Sequence, residues 1–493
     1  MVALHFGNSL IGADAARFGA IQTLIALEDP VLGFYWLYSG AQSEGTITRT
    51  RLIEGQPMAN PEVTHVAGTT QVYRSSDMIL RETAGDVELW VAGTNDSTLI
   101  SFDIIKEGRL NGQTNFEAQD PITKIENVKI GFQDFLISGT RDGSGLQSST
   151  YTDSALQKID AIEDTPKTAL GSIGDLAQIT NTNGTFLIAG SGLDEGITSL
   201  HIQSDGTLKL IDTLAPSDGL WLSGLDCLTT VAAHGRDFVV VGAIGSSSLS
   251  LVRVNDLGVL FVEDHIFDTL TSRFSKVDAI TSFSISDRGF IVAGGADDGL
   301  SLLEVLPDFT FFHHGTLVNG VDGSLETITA LTTAEFGTEI QVIAAGQLGF
   351  TMARIDKTSI NATLVGSATA DTLTGDNADD LIWGADGNDS LSGSGGDDLI
   401  AGGAGLDRLS GGAGADVFLF SNDLERDEVL DFELGIDRLD LSDWGRIYDA
   451  SSLSVQERSD GAIISYNHLS LRLFSDDGRR IEAEMVSNDM FLF

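Results

Sequence analysis

Apolar positions recur along this chain on two periods, one near fifty residues and one of nine. In the longer period an apolar run ends in small residues and glycine, at 34–40, 88–94, 134–140, 186–192, 238–245, 290–296 and 341–347. The equivalent glycines are Gly40, Gly93, Gly139, Gly190, Gly242, Gly294 and Gly346, at intervals of 53, 46, 51, 52, 52 and 52 residues. Seven units at near-constant spacing imply a repeat architecture. Within the fifth unit, segments 236–243, 248–256, 258–268 and 276–286 read as four short strands divided by Gly, Asn or Asp turns. Leu249, Leu251 and Arg253 alternate after the glycine run, which predicts a half-exposed strand. Four-stranded units repeated radially predict a seven-bladed β-propeller, with the glycine-ended run as an inner strand where side chains must shrink. A leucine-rich solenoid repeats every ~20–29 residues and fits less well. The seventh unit lacks a clear fourth strand of its own. The N-terminal stretch 2–7 is expected to supply it, with 360–365 as the alternative.

The nine-residue period occupies 366–419. Glycine opens each of six cuts, Asp371, Asp380, Asp389, Asp398, Asp407 and Asp416 take the sixth place, and Leu373, Ile382, Leu391, Ile400, Leu409 and Phe418 take the eighth. This spelling is the signature of a calcium-loaded parallel β-roll. Each repeat is a tight turn followed by a short strand, so two repeats make one coil. The eighth-place aliphatic points inward. The sixth-place carboxylate supplies a hard oxygen of the kind Ca²⁺ takes, and glycine lets turn carbonyls approach an ion. Candidate ligands are therefore Asp371, Asp380, Asp386, Asp389, Asp398, Asp407 and Asp416. The turn backbone adds Gly384, Gly387, Gly393, Gly395, Gly396, Gly402, Gly403, Gly405, Gly411, Gly412 and Gly414. Turns two repeats apart share an edge, so six repeats would sandwich about four ions. The first repeat lacks the second and third glycines, and the next has Asp376 and Ala378 there. A flexible Gly/Asp linker would need neither this register nor an inward aliphatic.

Charge sharpens the picture. The 493 residues carry 72 acidic against 28 basic side chains, a net charge of −44, which excludes an electrostatic nucleic-acid binder. Within 366–419 ten aspartates face only Arg408. Without calcium that segment is expected to be disordered. Cys227 is the only cysteine, so no intramolecular disulfide is possible and calcium would replace it as a staple. The first residues show no basic region followed by an apolar run, and no stretch is apolar for eighteen residues. Neither a secretory signal peptide nor a transmembrane helix is expected.

After the repeats, 427–442 alternates acids and aliphatics, through Asp427, Asp431, Phe432, Gly435, Asp437, Asp440 and Ser442. This resembles the C-terminal region of serralysin-type secreted proteins. It reads as further strands capping the roll, with Asp427, Asp431, Asp437 and Asp440 either holding another ion or forming a solvated face. Together with the nonapeptides, residues 366–493 resemble the repeats-in-toxin (RTX) superfamily of bacterial proteins. That resemblance implies export by a type I secretion apparatus through an uncleaved C-terminal signal, extracellular location, and folding on meeting calcium. It says how such a protein leaves, and little about what the front half does.

The front half shows no HExxH, no G-x-S-x-G elbow and no P-loop. His313 and His314 are adjacent in a strand and would face opposite ways. His65, His201, His234 and His265 fall in different units. Acidic turns at 194–195, 297–298 and 95–96 follow the glycine runs, and ordinary turn chemistry accounts for them better than an anionic rim. The sequence thus predicts an all-β chain: a seven-bladed β-propeller at 1–362, a calcium-binding roll at 363–420, and a cap with secretion signal at 421–493. The expected function is calcium-dependent export and folding, with the propeller as a binding or surface-attachment module for a glycan or cell-surface ligand. Two alternatives are a hydrolase or lyase with a site in the propeller channel, and a surface-layer or matrix subunit.

Overall fold

The structure, a computed structural model, describes residues 2–11, 21–41, 46–65, 75–82, 85–93, 97–118, 121–140, 145–152, 155–318, 325–346 and 349–492. Its regular structure is strand, with a few single 3₁₀ turns. Two compact units divide the chain. One is Leu4–Ser284 with Gly289–Ile355; the other is Asp356–Phe493 with the short pieces Met1–Ala3 and Ile285–Arg288.

The first unit is a seven-bladed propeller of four-stranded antiparallel meanders. In the fifth blade the order is Leu225–Ala233, Arg236–Ala243, Ser248–Val254 and Leu260–Phe267. The glycine-ended run is the second strand of each blade, not the first. Segment 276–286, grouped above with the fifth unit, instead supplies the first strand of the sixth blade, Ala279–Ile285. A repeat fixes its period but not its phase, and hydrogen bonding between strands sets the phase. The last blade is Ala330–Glu335, Glu339–Gly346 and Gly349–Asp356 completed by His5–Ile11, whose Phe6 pairs with Ala353 and Leu10 with Phe350. The alternative strand goes elsewhere: Leu364–Val365 pairs within the second unit.

Close packing between blades explains the recurring glycine. A Cβ at Gly139 would meet Ile173 at 2.7 Å, one at Gly190 would meet Leu225 at 2.5 Å, and one at Gly294 would meet Ile328 at 3.0 Å. Ile173 and Leu225 begin the following blade, and Ile328 lies just before the first strand of the next one, Ala330–Glu335. Such packing also covers both sheet faces, so Ser248, Leu249, Ser250, Leu251 and Val252 are all buried. The half-exposed third strand expected from alternation is not found, because blades sandwich each sheet.

A second inter-blade device uses aspartate. Asp160 accepts from its neighbour Ala161 N (2.9 Å) and from Leu208 N (2.9 Å) in the next blade. Asp212 does the same with Thr213 N and Leu260 N, and Asp264 with His265 N and Phe311 N. Each carboxylate thus bridges the outer strands of adjacent blades, satisfying one backbone donor at a register shift in its own strand and another at the start of the next blade's edge strand. First strands use it too: Asp77 accepts from Met78 N and Ile125 N, and Asp175 from Leu176 N and Leu228 N. The first strands surround a cavity of about 560 Å³ lined from all seven blades.

The second unit is a parallel coil of two sheets. One stacks Thr372–Thr374, Ser390–Gly395, Arg408–Ala413 and Glu428–Phe432; the other stacks Leu381–Trp383, Leu399–Ala401, Val417–Leu419 and Arg438–Asp440. Leu373 pairs with Leu391, Leu391 with Leu409, and Ile382 with Ile400, so one coil takes two nonapeptides. These aliphatics form a single core that continues through Phe418, Val429 and Leu439 into Leu471, Leu473 and Phe491. An antiparallel meander of Ser454–Arg458, Gly461–Tyr466 and Leu469–Ser475 ends the first sheet.

Candidate metal centre

The sixth-place aspartates form a ladder along the roll. Oδ1 of the last four accepts a hydrogen bond from the backbone N of the aspartate one coil earlier: Asp389 from Asp371 (2.7 Å), Asp398 from Asp380 (2.8 Å), Asp407 from Asp389 (2.8 Å) and Asp416 from Asp398 (2.9 Å). Asp427 and Asp437 extend the ladder past the repeats, accepting from Asp407 N (3.0 Å) and Asp416 N (3.1 Å).

The second oxygens divide the ladder. Oδ2 of Asp389, Asp398, Asp407 and Asp416 is buried with no hydrogen-bond partner. By contrast, Asp371 Oδ2 accepts from Ser367 N and Oγ, and Asp380 Oδ2 from Asp376 N. A buried carboxylate oxygen without a donor is costly unless a cation meets it. The electrostatics agree in sign. Burial pushes Asp398 up to about 8, Asp407 and Asp416 up to about 6, and Asp427 and Asp437 up to about 7. Asp389 is raised for the same reason, whereas Asp371 is held down by its bonds to Ser367.

Glycines make the turns that face these oxygens. A Cβ at Gly384 would lie 2.5 Å from Asp389 Oδ2, and Cβ atoms at Gly393, Gly402 and Gly411 would fall on Asp398, Asp407 and Asp416 Oδ2 in turn. Gly403, Gly405, Gly412 and Gly414 each have positive φ, and the carbonyl of Ala385, Gly387, Ser394 or Gly396 one coil earlier occupies their Cβ position. Gly387 and Gly396 face the backbone at 369–370 and 378 likewise, while Gly395 is more open. Asp386 forms a parallel bridge with Ala404. Carbonyl and carboxylate oxygens therefore line successive turns, the hard donor set that suits Ca²⁺. No three His, Cys, Asp or Glu side chains converge on one point among the described residues. An ion here would draw most of its oxygens from the backbone. The residues present fit calcium.

A parallel ladder at the fifth place was not anticipated. Asp379 accepts from Asp397 N, Asn388 from Leu406 N, and Asp397 from Ala415 N. The only sequence signal was the Asp/Asn run at 379, 388 and 397. Of the four later acids, Asp427 and Asp437 join the ladder and Asp431 accepts from Ser410 Oγ, Gly411 N and Gly412 N. Asp440 instead caps a turn through Ser442 N and Oγ.

The remaining sequence candidates do not gather. His314 is buried against Glu304 (2.6 Å), and burial pushes His313 down to about 4. His234 bonds Val305 O, His265 bonds Ser250 Oγ, and His201 packs on Phe186. The acidic turns serve their own blades, with Asp194 accepting from Gly171 N and Asp297 from Ser275 N; residues 95–96 lie outside the described residues. Among the described residues no helix is long and apolar enough to cross a membrane.

The family model for the RTX calcium-binding nonapeptide repeat (4 copies) matches residues 358–391 and 392–421. No curated protein matches the chain. Among solved structures it is similar to a functionally unknown protein from Desulfotomaculum acetoxidans DSM 771, at 11% identity and TM-score 0.42, covering 66% of this chain and 95% of that one. The chain carries RTX calcium-binding repeats, wound as a parallel β-roll and fused in sequence to a seven-bladed β-propeller.

Proposed function

We propose that this chain is an exported calcium-binding protein whose tail leaves the cell unfolded through a type I secretion apparatus and folds on meeting extracellular calcium. The propeller serves as its binding or surface-attachment module, with a glycan or cell-surface ligand as partner. The observation that carries this reading is the row of unpartnered, buried Oδ2 atoms at Asp389, Asp398, Asp407 and Asp416. Calcium, when bound, supplies the positive charge those oxygens lack. Ligand affinity then becomes folding free energy. Turns one coil apart pair to give about four sites.

Calcium titration of the full chain, read by circular dichroism and limited proteolysis, tests the folding step. In excess chelator at mildly alkaline pH, where the ladder carboxyls are ionised, the region 366–493 should become protease-sensitive while the propeller persists; a tail that stays protease-resistant under those conditions would refute the reading. Export is tested separately by deleting 487–493, which should retain the chain inside the cell. Normal release of the truncated chain would rule out a C-terminal signal there.

A further inference from the structure

The axial cavity of the propeller is built for charge. Among the described residues its wall carries Asp77, Asp175, Asp226 and Asp278 against a single cation, Lys124, whose Nζ lies 3.1 Å from Asp175 Oδ1. Two of these acids already have structural work, since Asp77 and Asp175 each bond two backbone N–H groups. Asp226 and Asp278, at equivalent places in the fifth and sixth blades, bond instead to each other. Two carboxyls in contact must share a proton, and burial together with Asp226 pushes Asp278 up to about 8. Glu126, on the same strand as Lys124, is raised to about 8 by burial and by Asp77 and Asp175.

A second observation is independent of the acids. Thr23 also lines the cavity and is 8% exposed, yet its Oγ1 has no partner. Cavity-lining threonines of two other blades do have partners: Thr123 donates to Gly139 O and Ile173 O, and Thr329 to Ile21 O. The first blade thus carries a buried, unpartnered hydroxyl on a residue that lines the same cavity as these carboxylates.

We propose that the axial cavity binds a small organic cation with primary ammonium groups on an alkyl spacer. An ammonium displaces the proton shared by Asp226 and Asp278 to solvent and donates to both carboxylates, while Thr23 Oγ1 accepts from the other end. Lys124 shows that the wall already accommodates this group. The volume lies within the range of small-molecule sites, roughly 300–1,000 Å³. Leu24, Met78 and Ile280 pack into the cores between blades, so most of the wall is polar and Leu331 is the apolar lining residue left to meet the spacer. This deepens the reading of the propeller as a binding module and rests on it.

Isothermal titration of the full chain in calcium-containing buffer near neutral pH tests the site. The probes are 1,4-diaminobutane, uncharged 1,4-butanediol, Mg²⁺, and an end-blocked Lys-Lys peptide. Diaminobutane should bind one to one with proton release, seen as a buffer-dependent heat. Asp226→Asn with Asp278→Asn should weaken it by about tenfold or more, and Lys124→Met, which removes the competing ammonium, should tighten it by about tenfold. A merely structural role for these residues would not give opposite signs. Equal binding of the diol, tighter binding of Mg²⁺, or silence with both wild type and Lys124→Met overturns the proposal. Tenfold tighter binding of the peptide would assign the ammonium to a partner's side chain and also overturn it. Calcium-induced folding of the tail, measured on the same samples, reports separately on the calcium reading.

Discussion

Replacing Asp407 by Asn should have opposite effects on the roll with and without calcium. Asn keeps the acceptor for Asp389 N at 2.8 Å but removes a charge from a carboxylate that is 1% exposed. In the folded roll Asp407 sits at about 6 against an ordinary 3.8, so the calcium-free fold gains stability as it takes up a proton. The sign follows: a raised carboxyl contributes fully below its unfolded value, and that contribution is lost as pH rises through its folded one. Such a gap corresponds to about 3 kcal/mol at neutral pH, and solvent screening at the rim of a thin coil brings this to about 1–2 kcal/mol. In chelator, wild-type tail should regain protease resistance as pH falls from about 8 towards 4, the window spanned by Asp398, Asp407, Asp416, Asp427 and Asp437. Asp407→Asn should shift that recovery to higher pH. With calcium present the same change removes a hard oxygen, so the calcium midpoint should rise by about tenfold, or ~1.4 kcal/mol. The assay is proteolysis of the tail across pH and calcium concentration. A variant destabilised equally with and without calcium would make Asp407 a plain hydrogen-bonding residue and refute the reasoning.

Three further tests separate the parts of the molecule. Leu409→Ala empties a fully buried rung between Leu391 and Val429 and should cost the calcium-loaded roll about 2–5 kcal/mol in denaturant unfolding. Gly411→Ala would set a methyl on Asp416 Oδ2 and should raise the calcium midpoint, whereas Gly337→Ala in the propeller, whose nearest atom would be 3.7 Å away, should leave it unmoved. Asp212→Ala strands the N–H groups of Thr213 and Leu260 and should cost the propeller about 1–3 kcal/mol in thermal unfolding without altering the calcium response.

Much of this was legible in the residues because repetition amplifies weak signals. Seven glycines at near-constant intervals announced the blades, and the reason is now visible in Ile173, Leu225 and Ile328 lying where a Cβ would go. Six aspartates in register announced the ladder. What stayed hidden depends on phase or on partners in neighbouring repeats. Nothing in 276–286 says that it opens the sixth blade, since either assignment keeps the same period. Asp160, Asp212 and Asp264 look like ordinary acids in amphipathic strands until their second bond, to Leu208, Leu260 and Phe311 in the next blade, is seen. The alternation at 249–253 misled for a related reason: a sheet sandwiched between two others has no wet side.

The last blade joins the first strand of the chain to strands encoded near the far end of the propeller, with His5 opposite Arg354 and Ile11 opposite Gly349. Pairs so remote in sequence form late, because the intervening polymer must first be gathered in. Until then Gly349–Asp356 offers its unpaired hydrogen-bonding groups to any strand that arrives, including the same strand of a sister molecule. Trimming 2–11 would therefore favour exchanged dimers over closed monomers, and the ring's latch doubles as its guard against self-association.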